Sequence, residues 1–398
     1  MSSPLCLIVT NNFPPVIGGA GTVYAALARA GAGRIHVLCA GRDYRTGAPI
    51  PDAAAHDAQC GFSVHRIADI RPPLGQPARL RELAIRWRLF LRVRRLYRQY
   101  RFPVLMIADD ETVGWLIAPA QRLLGLKVVL YTHGDDLGTE PPPLHARRAR
   151  QFARADAVVA ISETAAEALA TGYGMPRSRV ILVPNGIDTA RYHPMAADAA
   201  LVARYGLAGQ RVITTVTRLV PRKGVDRVLD AMPALLRDIP NLHYIIVGDG
   251  PQRAELEARA AQPDLAGHVT LTGVVAADDV PRYLALAECM VMPNRRMPNG
   301  EDDGASLVFL EANACGKPVI AGRAGAAREL AQNGVNGLVV DGTNPAAIAA
   351  ALRRLLTKQE LAARLAANGL AMARDASWER RARPFLDLCE RLARAAKS

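Results

Sequence analysis

VILVPNGIDTARYHP (180–194) is the stretch on which the fold turns, because it interrupts an otherwise regular alternation. An Asn-Gly pair between two prolines marks a turn and halts both the helical and the strand periodicity. Before it, short β-type runs alternate with alanine-rich helical stretches: LCLIVT (5–10), RIHVLCA (34–40), FSVHRI (62–67), VLMIA (104–108), KVVLYTH (127–133) and AVVAIS (157–162). After it the pattern restarts with RVITTVTRL (211–219), LHYIIVG (242–248), HVTLTG (268–273), ECMVMPN (288–294), KPVIAG (317–322) and NGLVV (336–340). Strands separated by helices argue for parallel sheets with helical crossovers, and a pause midway makes two successive α/β domains the economical reading. The expected division is an N-terminal domain over 1–190, a C-terminal domain over 191–375, and a last helix over 376–398 that packs back toward the first. Ligands of open α/β sheets sit beyond the carboxyl ends of the strands, so a cleft between the two domains is the expected site.

The composition agrees with a folded chain. Of 398 residues, 50% are hydrophobic and 22% charged, which excludes global disorder. No apolar run reaches the roughly 20 residues that cross a bilayer, and MSSPLCLIVTNNFPP reads as a first strand and not an export signal, so a cytoplasmic protein is expected. Six scattered cysteines without a CxxC pair read as buried thiols, leaving no predicted metal site. The net charge of +13 fits nucleic acid, anionic lipid or phosphorylated ligands, and no nucleic-acid module is visible, so nucleic acid is not expected as a partner.

Much of that charge sits in RLRELAIRWRLFLRVRRLYRQYR (79–101), where nine arginines interleave with Leu83, Ile85, Trp87, Leu89, Phe90, Val93, Leu96 and Tyr97. The pattern is a basic amphipathic helix. It is either an ordinary domain helix with solvated arginines, or one that also lies against an anionic membrane surface.

Four places carry candidate chemistry. IVTNNFPPVIGGAGTVYAALARA (8–30) runs strand, loop, then Gly18, Gly19 and Gly21 opening a helix, where backbone amides either receive a diphosphate or simply make a turn. In TVTRLVPRKGVDRVLDAM (215–232), Arg218 and Lys223 follow a strand and precede a helix beginning near Val225; two such cations can meet one phosphate group, or be a solvated turn. In NGEDDGASLVFLEANACGKPVIAG (299–322), Asp303 stands beside an expected helix start and Glu311 about two turns inside, where carboxylates accept sugar hydroxyls; the run Glu301, Asp302, Asp303 could also be a solvated cluster. His133, at a predicted strand end before Gly134, is the histidine best placed for ligand contact.

The order and spacing of these pieces resemble the retaining glycosyltransferases of family GT4, built on the GT-B architecture of two facing Rossmann-like α/β/α domains with an interdomain cleft. The pieces are GGAG at 18–21, His-Gly at 133–134, ISE at 161–163, VPNGID at 183–188, RLVPRKG at 218–224, VGDGP at 247–251, LTGVV at 271–275 and FLEANACGKPVIAG at 309–322. The resemblance implies transfer of a sugar from a nucleotide sugar to an acceptor hydroxyl with retained configuration, with no resident cofactor and no metal. By the same resemblance, Arg218 and Lys223 grip the donor diphosphate, with Gly18 and Gly19 approaching it from the N-terminal domain. Glu311 meets the ribose, Val274 and Val275 the base. Asp303 holds the sugar, the amides of Gly304, Ala305, Ser306 and Leu307 contact hydroxyls or phosphate, and His133 lies near the sugar C6 hydroxyl.

One departure stands out: the family's EGFG is here Asp303-Gly304-Ala305-Ser306, a shorter acid and a less permissive turn. PNRRMPNGEDD (293–303) resembles a subgroup that includes mannosyltransferases acting on lipids or lipid-linked glycans, making GDP-mannose the leading expected donor. A UDP-sugar donor (glucosyl or N-acetylglucosaminyl) and a catalytically weak nucleotide-sugar-binding protein are the alternatives. The expected partners are a glycan or lipid-linked acceptor and an anionic membrane surface at 79–101. The enzyme is expected as monomer or homodimer, peripheral on the inner face of the plasma membrane and serving polysaccharide or lipopolysaccharide synthesis.

Overall fold

A computed structural model describes residues 4–16, 19–72, 79–134, 137, 140–301, 306–325 and 327–396. The chain forms two compact units, one of Met1–Asn185 with Trp378–Ser398 and one of Gly186–Ser377.

The first unit is a seven-stranded sheet of β1 (Cys6–Thr10), β2 (Ile35–Ala40), β3 (Val64–Ile67), β4 (Val104–Ile107), β5 (Lys127–Thr132), β6 (Ala157–Ala160) and β7 (Val180–Leu182), in the order β3-β2-β1-β4-β5-β6-β7. Every pairing is parallel, with Cys6 in register with Ile35 on one side and Val104 on the other. A parallel sheet covered by helices on both faces needs strands that are apolar throughout, and β1, β2 and β4 are buried at every position. β7 lies inside the stretch that reads as a pause. Three residues before a Pro-Asn-Gly turn are too short to show a strand period, and only pairing with β6 makes them one.

The second unit holds β8 (Arg211–Val216), β9 (Leu242–Val247), β10 (Val269–Gly273), β11 (Cys289–Met292), β12 (Val319–Gly322) and β13 (Gly337–Val340), ordered β10-β9-β8-β11-β12-β13 and again all parallel. Both sheets reverse strand order beside their first strand, at β1/β4 and at β8/β11, which opens a crevice at the carboxyl ends there.

Helix Arg383–Ala395 belongs to the first unit, where it packs on β4 and β7. Its buried Phe385 and Leu388 contribute on the order of 2 kcal/mol each, and Arg34 pairs with Glu390 at 2.9 Å.

Helix Arg79–Tyr100 carries two apolar stripes. Ile85, Leu89, Val93 and Leu96 recur at helical spacing and are buried, the last three in one core cluster with Leu7 and Leu105. Leu80, Leu83, Trp87 and Leu91 recur on the opposite face and stay outside, Leu80 at 84%, Leu83 at 61% and Trp87 at 62% exposure. Among the described residues, no helix is long and apolar enough to cross a membrane. All six cysteines are buried and free.

Candidate functional site

In the second unit, the loop leaving β8 carries Arg218, exposed, its carbonyl accepting from Val220 N at 2.9 Å. A single 3-10 turn, Pro221–Lys223, then presents Lys223 before helix Val225–Leu236. Backbone bonds hold this loop on one side, Thr217 N to Val247 O at 2.9 Å and Leu219 N to Asp249 O at 2.9 Å. On the other side Arg295 N donates to Arg222 O at 2.8 Å, while the Arg295 guanidinium forks onto both oxygens of Asp226 at 3.0 and 2.9 Å. Gly224 closes the turn at φ 74°, and a Cβ there would lie 2.3 Å from Pro293 O. Only glycine fits both constraints.

The Lys223 ammonium donates to Oγ of Ser306 at 2.7 Å, and Leu307 leads into helix Val308–Ala314. Glu311 therefore sits in the first turn of that helix, not two turns inside. The helix begins at Val308, and Glu311 N donates to Leu307 O at 3.0 Å. The Glu311 residue keeps partial exposure, yet burial pushes its carboxyl up to about 7, opposed by a hydrogen bond from Tyr192 and the nearby Arg191 charge. Past β10, Val274 is exposed and Val275 packs half-buried against the cluster of Leu201, Tyr283 and Leu286. Asp303, Gly304 and Ala305 lie outside the described residues, as does Gly18.

In the first unit, helix Gly19–Ala30 begins at Gly19, where a Cβ would meet nothing within 4 Å; at Gly21 it would press on Pro14 and Asn12 O. His133 directly follows β5. Its Nε2 lies 2.7 Å from the hydroxyl of Tyr24, which also reaches Ala108 O at 2.8 Å. Tyr24 was not among the residues the sequence singles out. A buried aromatic inside a helix carries the same signal as any core residue.

Among the described residues, His56, Asp57 and Cys60 could together reach a metal ion. Burial raises the Asp57 carboxyl, but the bonds from Arg66, at 2.7 and 2.8 Å, outweigh it and hold it below its ordinary value. Both oxygens are thus already committed to a cation, and burial pushes the Cys60 thiol up, away from the thiolate a metal needs.

The model of the family described as Glycosyltransferase Family 4 matches residues 17–191, and that of Glycosyl transferases group 1 matches 202–372. The chain is 34% identical over 372 residues to a GDP-mannose-dependent alpha-(1-6)-phosphatidylinositol monomannoside mannosyltransferase of Mycobacterium tuberculosis, covering 91% of this chain and 92% of the relative. The chain belongs to glycosyltransferase family 4.

The family 4 enzyme is likewise 33% identical over 385 residues to the protein of the same description from Mycolicibacterium smegmatis, covering 95% of each. Its fold is that of Anabaena HepE, solved in complex with UDP and glucose: TM-score 0.79 at 21% identity, over 97% of this chain and 99% of the other. The two sheets, each flanked by helices, are the two Rossmann-like halves of a GT-B glycosyltransferase. Within the second unit the loops carrying Arg218, Lys223, Ser306 and Val274 all leave from carboxyl ends of strands, and Lys223 and Ser306 come into direct contact. Ser306, where the family pattern has glycine, receives the ammonium of Lys223.

Proposed function

We propose that this enzyme moves a mannosyl group from GDP-mannose to a hydroxyl of a lipid-linked or polysaccharide-precursor acceptor, with retained anomeric configuration. The observation that carries this reading is the likeness, over more than nine-tenths of the chain, to relatives described as GDP-mannose-dependent mannosyltransferases acting on phosphatidylinositol monomannoside. Arg218 and Lys223 compensate the charge on the departing diphosphate, assisted by Gly18 and Gly19. Glu311 accepts the ribose hydroxyls and Val274 with Val275 covers the base. Asp303 and His133 bind the sugar, and the amides of Gly304, Ala305, Ser306 and Leu307 complete the cradle. The acceptor attacks the face from which the diphosphate leaves, so alignment and electrostatics supply the rate, with no metal in the step.

The test is a donor panel of GDP-mannose, UDP-glucose and UDP-N-acetylglucosamine with membrane-lipid acceptors, followed by linkage analysis. An α-mannosyl product is expected, and Arg218→Ala should lower kcat/KM by about 100-fold or more. Turnover only with a UDP-sugar, or tight donor binding without turnover on any acceptor, would refute it.

The acceptor's lipid places the enzyme at the inner face of a membrane, as a peripheral cytoplasmic protein. The exposed stripe Leu80, Leu83, Trp87 and Leu91, beside exposed Arg88, Arg94, Arg95 and Arg98, supports an anionic bilayer as its partner. At about 1 kcal/mol per arginine near such a surface, replacing Arg88, Arg94 and Arg95 by alanine should weaken binding to anionic vesicles by about 100-fold. Equal binding of wild type to neutral and anionic vesicles would remove this partner.

A further inference from the structure

Glu288 directly precedes β11, and Lys317 stands two residues before β12. Between these amino ends of the strands the second unit holds a recess of about 240 Å³. The loops that carry Arg218, Lys223 and Val274 leave from the carboxyl ends, so in an all-parallel sheet the recess lies at the opposite edge from them. Leu355 and Leu356 of helix Pro345–Thr357, with Ala363 and Ala366 of helix Gln359–Asp375, supply an apolar lining, to which Glu288 and Lys317 add their side chains. A cavity of about 150 Å³ holds a benzene ring, so this one admits a ring with a small polar substituent.

The charges around this recess do not balance. Both oxygens of Glu288 are taken by the guanidinium of Arg211, whose Nε donates to one at 2.8 Å and whose Nη2 donates to the other. The same guanidinium also donates to Leu356 O at 2.6 Å. Arg211 and Glu288 therefore cancel, and the charge of Lys317 is left over. An ammonium has three protons to donate. That of Lys317 gives one to Ala285 O at 3.1 Å and pairs with no carboxylate among the described residues. Lys317 is half-buried, and this burial holds its ammonium below the ordinary value, although Cys315, Cys289 and Glu288 act in the opposite sense. A cation withdrawn from water beside an apolar lining favours an anion that brings its own apolar surface.

We propose that the recess is a second ligand site, which takes a small organic monocarboxylate: the carboxylate meets the Lys317 ammonium, and the apolar body lies on Leu355, Leu356, Ala363 and Ala366. One cation matches one negative charge. A phosphate dianion would leave a charge without a partner and gain nothing from the apolar lining, while a neutral molecule would leave the ammonium uncompensated. The site stands apart from the donor loops, so its ligand binds without competing with a nucleotide.

Fluorine NMR of 4-fluorobenzoate titrated with the full-length protein, at neutral pH and constant ionic strength, supplies the test. Saturable binding with a Kd of about 1 mM is expected for a ligand of about ten non-hydrogen atoms. Benzyl alcohol, with the ring and no charge, and acetate, with the charge and no ring, should displace the probe at least about tenfold less well than benzoate does. GDP should not displace it. Lys317→Met keeps the length of the side chain and removes its charge, and should weaken binding about tenfold. Ala366→Leu fills the recess, leaves the lysine in place and should abolish binding, with circular dichroism checking that each variant is folded. Displacement by GDP, displacement by benzyl alcohol as good as that by benzoate, or unchanged affinity in Ala366→Leu overturns the proposal. So does the absence of saturable binding by the wild type up to about 20 mM probe.

Discussion

Because burial drives the Glu311 carboxyl up to about 7, nucleotide affinity should carry a pH signature. A carboxylate accepts ribose hydroxyls more strongly than a neutral acid does. With a midpoint near 7, the ionised share climbs from about 9% at pH 6 to about 91% at pH 8, a roughly tenfold gain in binding-competent protein. Calorimetric titration of GDP into wild type and Glu311→Gln over this range isolates the effect, since the titration of the nucleotide's own phosphate is common to both and cancels in their ratio. That ratio should shift by about tenfold in favour of the wild type between pH 6 and pH 8. Stability should move the other way. The native carboxyl holds its proton to about 7 against 4.5 ordinarily, so the native state binds more protons between those values and stability falls as pH rises through them. The loss amounts to about 3 kcal/mol by pH 8, and Glu311→Gln should escape it. A flat affinity ratio would refute the ribose contact. A flat stability difference would refute the raised carboxyl itself.

Two further outcomes follow from the loop that carries Lys223. Gly224→Ala combines a left-handed backbone with a Cβ 2.3 Å from Pro293 O; it should cost about 2 kcal/mol or more in urea unfolding, and should also weaken GDP binding because the turn moves. Arg295→Ala leaves Asp226, which is only 17% exposed, with Arg227 at 3.3 Å as its remaining cation, and should cost about 1 kcal/mol; Asp226→Asn added to it should recover part of the loss, since the less fully compensated charge is then gone.

How far the chain could be read without its structure depended on how local each signal is. Twelve of the thirteen described strands are legible as β-type runs, since parallel strands buried on both faces are apolar from end to end. β7 escaped because three residues have no period. The loop cations Arg218 and Lys223 were legible as residues following a strand, and helix Val225–Leu236 begins at the residue the pattern marks. Glu311 was legible as a position but not in its depth, because the helix around it opens at Val308, which puts Glu311 in the first turn.

Helix Arg79–Tyr100 shows the division most plainly. Its arginines and apolar residues are written in order along the chain, but a helix with apolar side chains almost all round does not say which of them face the sheet. Packing settles that: Ile85, Leu89, Val93 and Leu96 go inside, and Leu80, Leu83, Trp87 and Leu91 remain outside. Tyr24 and His133 make the same point at the scale of one bond. They lie 109 positions apart, each unremarkable beside its neighbours, and meet at 2.7 Å only because β1, β4 and β5 lie side by side in the sheet. Family, fold class and the order of motifs were determined by the sequence alone, through periodicity and turn chemistry that act over a few residues. Contacts between distant residues, burial, and the charge states that burial imposes were decided only when the chain closed on itself, because each depends on which surfaces exclude water together.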